Sequence, residues 1–157
     1  MAARESRTAL ADTAAQLYDT DFYEWCIKMA ALLRARRMDE VDIEHVAEEI
    51  EDLGKSQQNE LESRVAVIIQ HLLKTRFQPE KRARSWDRTV ATQRVEIERL
   101  LGGNPSLRRL LRGVPGSVYD YAVKLTAAET DLPRKTFPPV CPFTPQEIFG
   151  DELLSGK

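Results

Sequence analysis

From Asp21 to about Glu129 the apolar residues recur at intervals of three and four, the period at which an α-helix returns to the same face. The first stripe is Phe22, Trp25, Cys26, Met29 and Leu33, with Asp21 and Glu24 in capping-box spacing ahead of it and Arg34, Arg36 and Arg37 behind it. This predicts a helix over 21–37. Asp42 is a suitable N-cap for a second stripe of Ile43, Val46, Ala47, Ile50 and Leu53. Gly54 follows as a stop or a kink. A third segment starts near Ser56 and reaches Phe77. Its residues Leu61, Val65, Ile68, Ile69, Leu72 and Leu73 leave only a narrow polar side, as in the most buried helix of a bundle. Gln78-Pro79 ends it, because the residue before proline avoids helical geometry.

A fourth helix carries Trp86, Val90, Ile97, Leu100 and Leu101 and stops at Gly102-Gly103. Asn104-Pro105 reads as the opening of a fifth, with Leu107, Leu110, Leu111 and Val114 in register. Gly113, Pro115 and Gly116 interrupt that register before Val118, Tyr121, Ala122, Leu125 and Ala128 resume it, so a kink or two helices both fit. Five of the eight prolines then lie between Pro133 and Pro145, which makes 131–143 extended. Thr144-Pro145-Gln146-Glu147 has the spacing of a capping box and predicts a short helix with Ile148 and Phe149. Phe137, Val140, Phe143 and Phe149 are too apolar for a free tail, so this strap is expected to lie across the bundle. The fold class is therefore all-α: about five helices, an extended proline-rich strap and a short terminal helix. One domain spans 1–157, with the bundle in 17–129 and the strap in 130–157.

Composition narrows the function more than it defines it. A chain of 157 residues with 42% hydrophobic content can bury roughly 70% of its unfolded surface without a metal or disulfide. Its two cysteines, Cys26 and Cys141, make no disulfide framework or zinc site. No run of apolar residues is long enough to span a membrane, and residues 1–16 have no apolar leader core. These features predict a cytoplasmic protein with no membrane partner. The 23 basic and 25 acidic residues nearly cancel, at a net charge of −2, but they are segregated. Ten acidic residues and one lysine lie between Asp39 and Glu62, whereas seven basic residues and two acidic ones lie between Lys74 and Arg94.

Several short segments, taken together, resemble a bacterial domain-of-unknown-function family, number twenty-nine. They are 17–25 (Leu-Tyr-Asp-Thr-Asp-Phe-Tyr-Glu-Trp), 48–54 (Glu-Glu-Ile-Glu-Asp-Leu-Gly), His71-Leu72-Leu73-Lys74 and Gln78-Pro79, followed by Ser85-Trp86, Gln93-Arg94, Pro105-Ser106-Leu107 and Thr136-Phe137-Pro138. Order and spacing agree over 17–145. The resemblance implies an all-helical bacterial domain and brings no activity with it.

Three constellations offer chemistry. The basic stretch, with Lys74, Arg76, Lys81, Arg82, Arg84 and Arg88, has the charge to meet phosphates, and Phe77 and Trp86 lie near it. The plainer reading is that the charged stretches face each other or are solvated, and that Trp86, in register with Val90 and Ile97, belongs to the core. Second, Glu48 and Asp52 share a helix face, as do His45 and Glu49, and His71 on the next segment would complete a carboxylate–imidazole metal site. Two histidines in a whole chain, and no Glu-x-x-His pair, argue against a metal or any other cofactor. Third, Glu49, His71, Gln93 and Arg94 each border an apolar stripe. Buried polar groups need partners, so these four are expected to converge, either as a network that specifies the bundle or as the lining of a pocket. Nucleophilic catalysis has no motif to support it. The reading this leaves is a protein-interaction module or accessory subunit. Nucleic-acid binding through 74–94 and an enzyme with a carboxylate–histidine pocket are the alternatives.

Overall fold

The computed structural model describes residues 16–156. The stretch read for a leader therefore lies, up to residue 15, outside the described residues. Every regular element among the described residues is helical. After a helical segment at 16–20 come α1 (Phe22–Arg34), α2 (Ile43–Phe77), α3 (Arg84–Gly103), α4 (Val114–Thr130) and the short α5 (Pro145–Phe149) and α6 (Asp151–Ser155). Single 3-10 turns or short 3-10 runs fill most of the connections. The chain divides into two compact units, Met1–Lys55 and Ser56–Lys157.

Two expected helices are in fact one. Residues 43–77 form a single 35-residue helix that runs straight through Gly54, about 52 Å at 1.5 Å per residue. A lone glycine costs only about 1 kcal/mol against alanine in a helix interior. Here it sits among strong helix formers, and a Cβ at Gly54 would meet nothing within 4 Å. Asp42 opens this helix as expected: its Oδ1 accepts from the His45 backbone N–H at 3.5 Å.

In the first unit Trp25, Met29, Leu32 and Val41 are buried together, with Leu17, Tyr18, Cys26 and Val46 against them. The α1 helix ends in a Schellman turn, the Arg37 and Arg36 N–H groups bonding the Leu32 and Leu33 carbonyls. Arg36 takes the left-handed position at φ 57° that glycine usually fills.

The second unit has the larger core. Leu61, Val65, Ile68, Ile69 and Leu73 of α2 meet Val90, Ile97 and Leu101 of α3, Val118, Ala122 and Val123 of α4, and Phe137, Ile148, Phe149 and Leu153 of the strap. The fifth expected helix is two elements: a 3-10 run over Pro105–Leu110, then α4 with Pro115 in its first turn. Asn104 does not cap the following element. Its Nδ2 donates back to the Leu100 carbonyl at 3.0 Å and so closes α3 instead.

The α4 register differs from the apolar pattern. Tyr119, Thr126 and Thr130 are buried, whereas Tyr121 is 56% exposed. The threonines can turn inward because each hydroxyl donates to the carbonyl four residues back, at 2.7 Å.

The strap lies on the second unit, with Phe137 edge-on to Phe77 at 5.3 Å. Tyr119 donates to the Pro138 carbonyl, and Arg108 to that of Leu153. Its capping box forms as expected, Thr144 and Glu147 satisfying each other's backbone N–H. Val140, however, is 73% exposed and anchors nothing.

Candidate functional site

In the first unit a polar cluster joins the segment before α1 to the start of α2. Tyr18 Oη donates to Glu49 Oε1 at 2.6 Å, and its ring stacks on His45 with centroids 4.0 Å apart. His45 Nδ1 lies 2.7 Å from Asp42 Oδ2, which also accepts from Trp25 Nε1 at 3.3 Å. The Glu49 carboxylate pushes the Tyr18 phenol up to about 12. The Asp42 carboxylate likewise raises His45 above its ordinary value, against a smaller opposing effect of desolvation. Tyr18 and His45 are members that the apolar pattern missed, although Asp42 as an N-cap fixes where His45 must stand. Five partnered groups in a row make a clamp between helices, with His45 able to change its charge near neutrality.

In the second unit the notable group is Lys74, an ammonium on a side chain that is almost wholly buried. Its Nζ donates to Glu129 Oε1 at 2.6 Å and sits 4.5 Å from the centroid of the Trp86 ring. Gln70 Nε2 donates to the other Glu129 oxygen at 2.6 Å. The lysine is only 6% exposed at its side chain and the glutamate 50%, so the pair is buried at one end and wet at the other. Trp86 is half-buried as the floor beneath Lys74. It is neither a full core residue nor a free stacking platform.

The four residues expected to converge each have a different partner. Glu49 holds Tyr18, and His71 donates through Nδ1 to the Val67 carbonyl of its own helix at 2.8 Å. Gln93 accepts from Arg64 at 3.2 Å. Arg94 donates to the Ile148 and Glu147 carbonyls at 3.0 and 2.6 Å, holding the strap. Glu49 and His71 stand on one continuous helix, where only residues three or four apart are neighbours. The same continuity separates Glu48 and Asp52 from His71. Among the described residues no group of three His, Cys, Asp or Glu side chains is placed to share a metal ion.

Half of the six cations of the basic stretch are engaged within the second unit. Besides Lys74, Arg76 faces Glu147 at 3.7 Å and the Phe143 ring at 4.6 Å, and Arg82 pairs with Asp87 at 3.1 Å. Lys81, Arg84 and Arg88 are exposed and make no ion pair among the described residues. Burial raises the Cys141 thiol above its ordinary value, which keeps it protonated and unreactive.

The clearest departure from an ordinary surface is apolar. In the first unit Phe22 is 48% exposed, Tyr23 75%, Ile27 52%, Ile43 54% and Ile50 64%. The stripes that predict core contacts are real, but much of their length is uncovered there.

The sequence model of the family described as Domain of unknown function DUF29 matches residues 17–154. The chain belongs to this family. Comparison with curated proteins and with solved structures gives no match. The DUF29 match takes in the Tyr18 clamp, Lys74 with Glu129, and the strap through Phe149. No described helix of this DUF29 chain is long and apolar enough to cross a membrane. Of the four residues expected to line a pocket, Arg94 borders an open hollow of about 440 Å³ with Val95, Glu98 and residues 149–153.

Proposed function

We propose that this DUF29 protein is a non-enzymatic interaction module that docks through the apolar surface of its first unit. The observation that supports this is α1 itself. Along Phe22–Arg34 the only charged residues are Glu24, Lys28 and Arg34. A helix apolar on nearly all sides belongs in an interior, yet only Trp25, Met29 and Leu32 of α1 are buried. The first turns of α2 repeat the pattern with Ile43 and Ile50.

The test is capture of partners by the tagged chain in its native cells, compared across two variants. Ile50→Asp places a charge on the surface, and Val95→Asp places the same charge at an equally exposed site of the second unit. Partners retained by the parent and by Val95→Asp but lost with Ile50→Asp are expected. Equal capture by all three would refute the reading.

Nucleic-acid binding through 74–94 is the second reading, supported by Lys81, Arg84 and Arg88, which are exposed and make no ion pair among the described residues. Replacing those three by glutamine should weaken binding and flatten its salt dependence. No binding to DNA or RNA at about 50 mM salt would end this reading.

A further inference from the structure

Most of the exposed apolar residues on α1 and the start of α2 share one side of a helix pair, and that shape specifies its occupant. Tyr18 meets His45 and Glu49, while Trp25 and Met29 meet Asp42, so α1 and the start of α2 run antiparallel. On α1, Phe22, Cys26 and Leu33 follow Trp25 and Met29 round the helix in the direction of its twist. On α2, Ile43 and Ile50 follow Asp42, His45 and Glu49 in the same rotational sense. Because the helices are antiparallel, both flanks open on the same side. Tyr23 extends the surface around the outer edge of α1, whereas Ile27, two residues from both Trp25 and Met29, lies on the back of that helix.

From the exposed fractions of Phe22, Tyr23, Leu33, Ile43 and Ile50, and ordinary side-chain areas of about 200 Å², this surface offers roughly 550 Å² of apolar area. Homodimer interfaces are about 65% apolar, so it would sit at the centre of an interface of roughly 800–1,000 Å² per partner, the size of a standard stable complex. The charges at its margins choose the partner. On α1 the charge at the outer edge of this surface is Arg34, eleven residues and so three turns on from Tyr23, with Arg36 just beyond it, while Arg37 is already paired with Glu40. Beside Ile43 and Ile50, the outer edge of α2 carries Glu44 and Glu51, seven residues apart on one line of the helix. A second copy, rotated about an axis parallel to the helices, lays each α1 on the other copy's α2 and brings its Arg34 to the Glu44 and Glu51 edge there.

We infer that the apolar face of the first unit is covered by a second copy of this chain, in a two-fold four-helix arrangement that stacks α1 on the other copy's α2. A closed two-fold pairing uses one self-complementary patch twice, and this patch carries both signs of charge. The inference rests on the interaction-module reading and names its partner.

Sedimentation equilibrium of the whole chain at about 1–100 μM tests it, a range chosen around micromolar dissociation constants. The expected mass is twice the 17.9 kDa of one chain. Ile50→Asp and, separately, Phe22→Asp should return the mass to one chain with helical circular dichroism unchanged, since both side chains are about half exposed or more. Arg34→Glu should weaken association at least fivefold at low salt, and Val95→Asp should leave it unchanged. A parent chain that stays monomeric across the range overturns the inference. So does a dimer that both apolar-face variants leave intact. A monomeric parent whose partners in cells are nevertheless lost with Ile50→Asp would overturn the second copy alone and leave the interaction module standing.

Discussion

Removing Glu129 should cost far more than removing Lys74, although the two form one ion pair. The lysine side chain is 6% exposed and the glutamate 50%. Glu129→Ala leaves an ammonium buried without its anion, and breaking a buried pair in this way costs about 3–5 kcal/mol. The Trp86 ring still faces the charge, so a value near the lower end, about 3 kcal/mol, is expected. Lys74→Met removes the buried charge together with its hydrogen bond and keeps most of the stem's packing. Glu129 can rehydrate, so the loss should be about 1 kcal/mol. Adding Lys74→Met to Glu129→Ala should then recover about 2 kcal/mol, a coupling expected only of residues in contact. Urea unfolding of the parent, both single variants and the double variant at neutral pH completes the cycle. Equal losses in the two single variants, or a larger loss for Lys74→Met, would refute the reasoning that burial of the ammonium dominates.

Other variants probe separate elements. Gly54→Ala should raise stability by about 1 kcal/mol, because the site is helical and has open space for a Cβ; a loss in thermal melting would contradict a continuous α2. Trp86→Ala should cost about 2 kcal/mol, less than a fully buried tryptophan, and unchanged melting would remove Trp86 from beneath Lys74. The folded-state rise in His45 means that its contribution is fully present below its ordinary value of 6.5 and is lost as pH climbs through the raised value. Unfolding midpoints should therefore fall over that window in the parent and not in His45→Gln. A parallel decline in both would assign the pH dependence elsewhere.

Helix content is legible in the chain because periodicity reports which face of a segment is apolar. What periodicity omits is what lies against that face. Leu61 and Ile50 show the difference: both belong to apolar stripes of α2 with the same spacing, yet Leu61 is wholly buried and Ile50 is 64% exposed. Gly54 misleads for a related reason, since a stop needs a left-handed residue or a proline as well as a weak helix former. The capping box at Thr144 is readable because it is local. The expected meeting of Glu49, His71, Gln93 and Arg94 is not, because border positions on a helix wheel find backbone carbonyls and near neighbours as readily as one another. In the sequence Lys74 stands among cations that could meet phosphates. Only the fold brings Glu129, 55 positions along the chain, to its ammonium.

Hydroxyl-radical footprinting reads directly whether the apolar face of the first unit is covered in solution. Phe22, Tyr23 and Leu33 should oxidise several-fold more slowly in the parent than in Ile50→Asp, while Tyr121, 56% exposed in the second unit, should react equally in both. Equal oxidation of Phe22, Tyr23 and Leu33 in the parent and in Ile50→Asp would contradict the account.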